Sequence, residues 1–226
     1  MVRRLAFCAV LCYTVNMKRV DKKTALAELE SLYKGAKPAL HYRTPYELLI
    51  AVILSAQCTD ERVNKVTAAL FEKYSTPEAM LSLSQAELEK YIFSCGFYRM
   101  KAAHILSASR DIIERFGGEV PRTVEELTSL AGVGKKTANV VYSVAFGGDA
   151  IAVDTHVFRV SNRLGLAPGN TPQKVEAGLN KAIPKKDWSS AHHWLIWHGR
   201  KVCRAQKPDC EHCSLSHVCD YYKKTK

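Results

Sequence analysis

The sequence predicts an all-α protein, and three observations lead to that prediction. Apolar residues recur at helical spacing along the 226-residue chain from Met17 onward. Helix-start signals, such as Thr44-Pro45 and Thr171-Pro172, precede several of these runs. No stretch alternates strictly between apolar and polar residues, and the chain has no Asn-Gly or Asp-Gly hairpin turn. A chain of this length with 47% hydrophobic residues can bury a sizeable core, in one large domain or two small ones.

The first half of the chain carries clear helix-start signals. Thr44 to Glu47 combine an N-cap, a proline at the first helical position and a capping box. The helix that follows is apolar on all sides, so we expect it to be buried. The helices predicted here are Lys22–Lys34, ended by Gly35, then Leu48–Ala56, Asp60–Tyr74, two short helices after Thr76-Pro77 and after Ser84, and Arg99–Phe116, ended by Gly117-Gly118.

The second half is organised around a glycine turn. A helix capped by Thr123 leads into Gly132-Val133-Gly134, and two lysines, Lys135 and Lys136, follow at once. Glycine has no Cβ, so both glycines of this turn are expected to allow a tight backbone with positive φ. The helices predicted after the turn are Thr137–Phe146, Thr155–Leu164, one after Thr171-Pro172, and Ser190–His198.

The turn and the residues that follow it form a candidate site. The open N–H groups and positive dipole end of a helix start attract an anion such as phosphate. The same surroundings favour the neutral form of a lysine, which is a nucleophile able to form a Schiff base. Asp154, eighteen residues past Lys136, is a carboxylate able to shuttle protons. Each piece also has a plainer interpretation: an ordinary loop, a solvated lysine pair, and an N-cap before Thr155.

The chain is strongly basic, with a formal net charge of +11 and an isoelectric point near 9.3. Polyanions are the default partners of such a protein, so nucleic acid is the leading candidate. Ordinary surface lysines would account for the same composition. Charge alone therefore favours nucleic acid only slightly.

Four of the eight cysteines lie within 17 residues near the C-terminus, with spacers of six, two and five residues: Cys203, Cys210, Cys213 and Cys219. Four thiolates suit zinc or an iron–sulfur cluster. A four-cysteine zinc ribbon normally uses two C-x-x-C pairs, and this group contains one. A tight group in a long chain indicates a metal site in a reducing compartment rather than a secreted disulfide scaffold.

Two motifs carry a family resemblance. The run LAGVGKKTANVV at residues 130–141, followed by VDTH at 153–156, resembles the helix-hairpin-helix and Gly/Pro-Asp loop of the endonuclease III family of DNA glycosylases. Ala131 departs from the family pattern, which has proline there. The cysteine spacing independently resembles the [4Fe-4S] motif of the same family. The resemblance implies that Lys136 is a Schiff-base nucleophile, Asp154 the assisting carboxylate, and the four cysteines the cluster ligands.

The resemblance also implies two helical domains with the active site in the cleft between them. A six-helix barrel is expected over residues 38–148, with the helix-hairpin-helix at about 124–143. An iron–sulfur cluster domain is expected to combine residues 17–37 and 149–226. Residues 1–16 are interpreted as an N-terminal extension or a misassigned start, because the apolar run lacks a signal-peptidase pattern and Met17 is a plausible start.

The family further implies DNA contacts. A base inside a duplex is out of reach of a lysine, so the enzyme must flip it out and fill the gap. Gln57 and Phe97 match the family's insertion segments, although by themselves they would be interpreted as a helix C-terminal residue and a core side chain. The other expected contacts are Arg99, Lys101, Gly132, Val133, Gly134, Lys135 and Arg204.

The expected function is that of a bifunctional DNA glycosylase and AP lyase of base excision repair. Its expected partner is double-stranded DNA that carries oxidised pyrimidines or abasic sites, and we expect a monomeric, cytoplasmic and nucleoid-associated protein with a [4Fe-4S] cluster. A monofunctional relative that activates water is the nearest alternative, although such enzymes typically lack lysine at the position of Lys136. A non-enzymatic DNA-binding or electron-carrying iron–sulfur protein is an alternative from another class.

Overall fold

A computed structural model of the protein describes residues 21–225, and the secondary structure assigned there is entirely helical, which confirms the predicted fold class. The prediction for residues 1–16 lies outside the described residues. None of the described helices is long and apolar enough to cross a membrane. The α-helices are α1 (Lys22–Leu32), α2 (Pro45–Ser55), α3 (Asp60–Phe71), α4 (Pro77–Leu81), α5 (Gln85–Ile92), α6 (Tyr98–Phe116), α7 (Val124–Thr128), α8 (Lys135–Phe146), α9 (Thr155–Leu164), α10 (Pro172–Ala182), α11 (Trp188–Lys201) and α12 (Asp220–Thr225).

Most of these helices begin at a side-chain N-cap, at the positions predicted from the sequence. The reciprocal capping box at Ser84 is present, and the Thr123 hydroxyl accepts the Glu126 N–H. The capping box predicted at Thr44 is wrong. Thr44 does accept the Glu47 N–H, but the Glu47 carboxylate binds the backbone N–H and guanidinium of Arg43 instead of closing the box. This ion pair lets Glu47 lie buried at 1% exposure at the start of an apolar helix.

Two helix boundaries differ from prediction in ways that matter for the site. Helix α8 begins at Lys135 rather than Thr137, because Gly134 takes the extended backbone of an N-cap with φ −81° and ψ 171°. Both lysines therefore lie in the first turn of the helix. Helix α12 was not predicted. It follows the last cysteine and places Tyr221 and Tyr222 against the second of the two hydrophobic cores.

The described residues form two hydrophobic cores. The first core is formed by the helices from α2 through α8. Helix α2 runs through its centre, and every residue from Tyr46 to Leu54 is buried there. Such a continuous apolar run forms a helix that is covered on all faces. Within this core α7 packs on α8 and α8 packs on α2, so the glycine turn between α7 and α8 is held against the most buried helix.

The second core joins α1 to α9, α10, α11 and the C-terminal segment, and includes Ala25, Leu29, Trp194 and Leu195. Helices α9 and α11 approach closely at Gly199, where a Cβ would lie 2.9 Å from the Cβ of His156. The division into a domain at 38–148 and another formed by 17–37 with 149–226 remains a proposal. The two cores are the observation that supports it.

Polar contacts connect the two cores around a cleft. Arg200 on α11 pairs with Asp60 at the start of α3. Nearby, the Trp197 indole donates to the Lys37 carbonyl at 3.1 Å and holds the segment that leads into the first core. On the other side, the Asn139 side chain of α8 donates to the Ile151 carbonyl at 3.3 Å. These contacts fix how the first turn of α8 faces the loop before α9.

Candidate functional site

The cleft between the cores has a volume of about 280 Å³ and brings together residues that lie far apart in the sequence. Lys136 and Val140 of α8 form one wall. Asp154 and His156, at the start of α9, lie on the other side, and α11 contributes side chains to the lining. The two residues predicted to be catalytic, Lys136 and Asp154, thus line the same cleft.

The glycine turn positions Lys136. Gly132 has φ +75°, and a Cβ there would lie 2.8 Å from the Cβ of His104, so this position requires glycine on both conformational and steric grounds. The expectation of a positive φ at Gly134 is wrong, since its φ is −81°. Among the described residues no side chain caps α8 at Gly134, so the first N–H groups of the helix remain open at its N-terminus.

The structure distinguishes the two neighbouring lysines. The Nζ of Lys135 lies 2.9 Å from the Oε1 of Glu176 on α10 and takes no part in lining the cleft. Lys136 is the one that lines it. Consecutive residues of a helix point about 100° apart, so one lysine is tied to a carboxylate on α10 while the next faces the cleft.

Asp154 caps α9 and also lines the cleft. Its Oδ1 accepts the Val157 N–H at 2.7 Å, as an N-cap of α9 does. Its Oδ2 has no hydrogen-bond partner among the described residues. The cap fixes the orientation of the carboxylate, so that the same side chain begins a helix and presents a charged oxygen at the cleft.

His156, the second residue of α9, is held by Arg159, whose Nη2 lies 3.1 Å from the His156 Nδ1. Burial lowers the pKa of His156, and the guanidinium groups of Arg159 and Arg200 act in the same direction, whereas Asp154 opposes them. The ring is therefore neutral at neutral pH. It packs against α11 at Gly199 and so helps to hold the start of α9.

His192 on α11 is a cleft residue that the sequence analysis missed. It is buried, with 3% exposure, and burial lowers its pKa to about 4, with the neighbouring His193 ring adding to the effect. The ring lines the same cleft as Asp154. Its Nδ1 has no partner within residues 21–225. The only signal in the sequence was a histidine pair inside an otherwise apolar helix.

The two predicted insertion residues lie on neighbouring strained loops. Gln57 and Phe97 are non-glycine residues with positive φ, at 54° and 57°. A Cβ on Gly96 would lie 3.5 Å from the Gln57 carbonyl oxygen, so the loops touch. The plain expectation of Phe97 as a core side chain does not hold, because Phe97 is 60% exposed. Left-handed backbone at two exposed side chains costs free energy that a functional role would explain.

The prediction that Lys101 contacts DNA is wrong. It is 4% exposed, and its Nζ donates to the carbonyl oxygens of Leu54 at 2.8 Å and Ala56 at 2.7 Å. A phosphate contact does not fit this geometry, because the ammonium group is used inside the protein to hold the end of α2. Arg99, by contrast, is exposed, and its guanidinium lies over the Tyr98 ring at 4.8 Å.

The prediction that Val133 contacts DNA is also wrong. Its side chain is buried at 5% exposure in the first core, and its N–H donates to the Leu130 carbonyl at 3.2 Å. Neither its side chain nor its N–H is free to bind a ligand. Val133 anchors the glycine turn, and the turn's exposed backbone is that of Gly132 and Gly134.

The four C-terminal cysteines face one pocket beneath α11 and α12. Burial, with a smaller contribution from the neighbouring thiols of the group, raises the pKa of Cys213 to about 11. Two arginines of α9 hold the surrounding loop. Arg159 Nε donates to the Cys203 carbonyl at 2.9 Å, and Arg163 Nη1 donates to the Arg204 carbonyl at 2.7 Å. The Arg204 side chain itself is exposed.

Comparison with known proteins identifies the class of protein. Residues 50–185, more than half of the chain, match the HhH-GPD superfamily of base excision DNA repair proteins. This match covers the glycine turn, Lys136 and Asp154. The all-helical fold, with its helix-hairpin-helix facing a carboxylate across a cleft, belongs to that superfamily.

Within the superfamily, the chain belongs to the endonuclease III family. It is 50% identical over 207 residues to endonuclease III of Synechocystis sp., covering 89% of this chain and 94% of the relative. A trapped endonuclease III–DNA covalent intermediate, solved as an estranged-adenine complex, superposes with a TM-score of 0.86 at 50% identity, covering 90% and 98% of the two chains. A thermostable thymine-DNA glycosylase superposes with a TM-score of 0.81 at 29% identity, covering 90% and 97%.

Proposed function

We propose that this protein is a bifunctional DNA glycosylase and AP lyase that removes oxidised pyrimidines from double-stranded DNA. The observation that carries the proposal is the placement of Lys136 and Asp154 in one cleft, with Lys135 tied to Glu176 outside it. Family membership supports base excision repair as the process. The related structure of a trapped covalent intermediate supports covalent chemistry on DNA.

The proposed reaction begins with a damaged nucleotide flipped into the cleft. The Lys136 Nζ, once deprotonated, attacks C1′ of the sugar, and the bond from C1′ to the base breaks with the electron pair leaving on the base. The ring opens to give a Schiff base between Nζ and C1′. Removal of a proton from C2′ then expels the 3′ phosphate by β-elimination, and water releases the lysine.

Asp154 has the proposed role of proton carrier and of electrostatic partner for the positive charge that develops on the sugar. Its N-cap bond to Val157 holds the carboxylate in place before substrate arrives, which reduces the reorganisation needed during the reaction. His192 is buried in the wall of the same cleft. The cleft side chains are thus held in position before substrate binds.

The proposed DNA contacts are distributed around the mouth of the cleft. The open N–H groups at the start of α8, beside Gly132 and Gly134, would bind a phosphate. Gln57 and Phe97 would fill the space that the flipped base leaves, since both are exposed on adjoining loops. The exposed cations Arg99 and Arg204 would contact further phosphates, whereas the ammonium group of Lys135 is paired with Glu176. The basic charge of the chain is consistent with such a partner and with association with the nucleoid.

The four thiols Cys203, Cys210, Cys213 and Cys219 fit an iron–sulfur cluster better than a single zinc ion. Four sulfurs around one zinc would lie ~3.8 Å apart, given a Zn–S distance of about 2.3 Å. Within the described residues, no group of three or more donor side chains is gathered tightly enough to hold a metal ion. The four thiols line one pocket, and the unequal short loops between them suit a [4Fe-4S] cluster. Bound there, the cluster would stabilise the loop that presents Arg204.

Strand cleavage tests the proposal and separates it from its rivals. With a duplex that carries thymine glycol, the wild type is expected to release the base and nick the strand 3′ to the lesion, whereas Lys136→Gln loses both activities. Lys135→Gln is the matched control and should keep most of the activity, because Lys135 lies outside the cleft. Base release without nicking by wild type would indicate a monofunctional enzyme. DNA binding without either activity would indicate a non-enzymatic protein.

A further inference from the structure

Two cysteines outside the C-terminal group lie where the two proposed insertion loops meet. Cys58 directly follows Gln57, and Cys95 precedes Gly96 and Phe97. The loops are in contact, since a Cβ on Gly96 would lie 3.5 Å from the Gln57 carbonyl oxygen. Both cysteines belong to the same core, and neither has a role in the proposed reaction.

The two cysteines are neighbours with different access to solvent. Cys95 is 1% exposed, whereas Cys58 is half-buried and lines the cleft. Burial raises the pKa of Cys95 to about 11, with Cys58 adding to the effect. Among charged groups, the ammonium of Lys101 faces both thiols, and Arg62 of α3 faces Cys95. These cations only partly offset the effect of burial on the pKa of Cys95.

We propose that Cys58 and Cys95 form a reversible disulfide that joins the two insertion loops and weakens binding to damaged DNA. The oxidant is a low-molecular-weight disulfide such as oxidised glutathione. The accessible Cys58 thiolate attacks one of its sulfurs and releases one glutathione thiolate. The Cys95 thiol then loses its proton and attacks the Cys58 sulfur of the mixed disulfide, releasing the second glutathione. Two protein thiols are oxidised, and one glutathione disulfide is reduced to two thiols.

The consequence for DNA binding rests on the proposed function and follows from geometry. A disulfide has an S–S length of about 2.05 Å, so the two free thiols must move closer together to form it. Lys101 holds the carbonyl oxygens at the end of α2, and Cys95 is fixed in the core. The movement therefore falls on the residues between these anchors, Gln57 and Gly96-Phe97. Both insertion side chains would be displaced together.

The first experiment tests the chemistry on the full-length protein with its cluster intact by absorbance. Wild type is incubated with oxidised glutathione, its free thiols are alkylated, and its peptides are mapped without reduction. The expected product is a peptide pair linked through Cys58 and Cys95, reversed by dithiothreitol. Both thiols alkylated in the folded protein, or Cys58 stopped as a mixed disulfide with glutathione, would overturn the proposal.

The second experiment measures binding to a duplex with a tetrahydrofuran abasic analogue, which needs no catalysis. Oxidation is expected to weaken wild-type binding by about tenfold, since loss of one stacking side chain costs roughly that much. Dithiothreitol should restore it, and the Cys58→Ser and Cys95→Ser variants should not respond to the oxidant. A mapped disulfide with unchanged binding would overturn the regulatory part. Failure of the proposed enzymatic function would instead appear as no nicking by the reduced protein.

Discussion

One carboxylate performs two tasks at the candidate site. Asp154 caps α9 through the Val157 N–H and also lines the cleft opposite Lys136. The two tasks have different chemical requirements, because an N-cap needs only a hydrogen-bond acceptor, whereas proton transfer needs a titratable group. Substitutions can therefore separate the structural contribution of Asp154 from its chemical one.

Asp154→Asn is expected to keep the stability of the fold and lose activity. Asparagine is as good an N-cap as aspartate, so the unfolding midpoint should remain near that of wild type, whereas Asp154→Ala should cost about 1 kcal/mol. Both variants should lose on the order of 100-fold or more in nicking rate. Urea unfolding and single-turnover nicking measure the two quantities. Full activity in Asp154→Asn would remove Asp154 from the mechanism.

His192 should make stability depend on pH. Its pKa is about 4 in the folded protein, against about 6.5 for an unfolded histidine, so between these values the unfolded state binds more protons. Its stabilising contribution is complete above pH 6.5 and is lost as the pH falls toward 4. From pH 7 to pH 5 the free energy of unfolding should fall by about 2 kcal/mol on account of this residue.

The variant His192→Gln removes that contribution together with the interaction between His192 and His193. Urea unfolding at pH 7 and pH 5 should give a smaller loss of stability for the variant than for wild type. Equal losses in the two proteins would mean that His192 is not held neutral by burial.

At the scale of elements, the turn between α7 and α8 depends on one glycine more than on the other. Gly132→Ala would combine a positive φ with a Cβ 2.8 Å from His104, and it should destabilise the protein by about 2 kcal/mol and weaken DNA binding. Gly134→Ala has an allowed backbone and should cost under about 1 kcal/mol. Thermal unfolding of the two variants gives the comparison, and equal shifts would contradict the assignment of the turn.

The helices could be predicted from the sequence because helix-start and helix-end signals act between residues that are close in the chain. A cap such as Ser84 with Glu87 acts within one turn, and α9 was predicted with its observed bounds. The site was less readable because it depends on distant partners. Nothing near Lys135 in the sequence indicates Glu176, and the partners of Lys101 lie 47 and 45 residues away.

Family resemblance supplied the remaining site predictions, and it did so unevenly. It placed Lys136 and Asp154, which the fold brings into one cleft. It also carried over Lys101 and Val133, whose side chains are buried. A motif match transfers the order of residues along the chain, whereas burial is decided by packing that the motif does not describe.

At the scale of the whole molecule, the net charge of +11 should make DNA binding strongly dependent on salt. Arg99→Ala and Arg204→Ala should each reduce the slope of log affinity against log salt by about 1, because each removes one phosphate contact. Lys101→Met is the matched control and should leave the slope unchanged, since its ammonium is bound to carbonyl oxygens. Fluorescence anisotropy across a salt series measures the slopes, and a change confined to Lys101→Met would reverse the assignment.

The covalent intermediate is the most direct test of the central claim that Lys136 attacks the sugar. Sodium borohydride added during reaction with a thymine glycol duplex should trap a protein–DNA adduct, and digestion should place the adduct on the peptide that contains Lys136. Lys136→Gln should give no adduct, whereas Lys135→Gln should give nearly as much as wild type. An adduct on Lys135, or none in a wild-type protein that binds DNA and holds its cluster, would contradict the account.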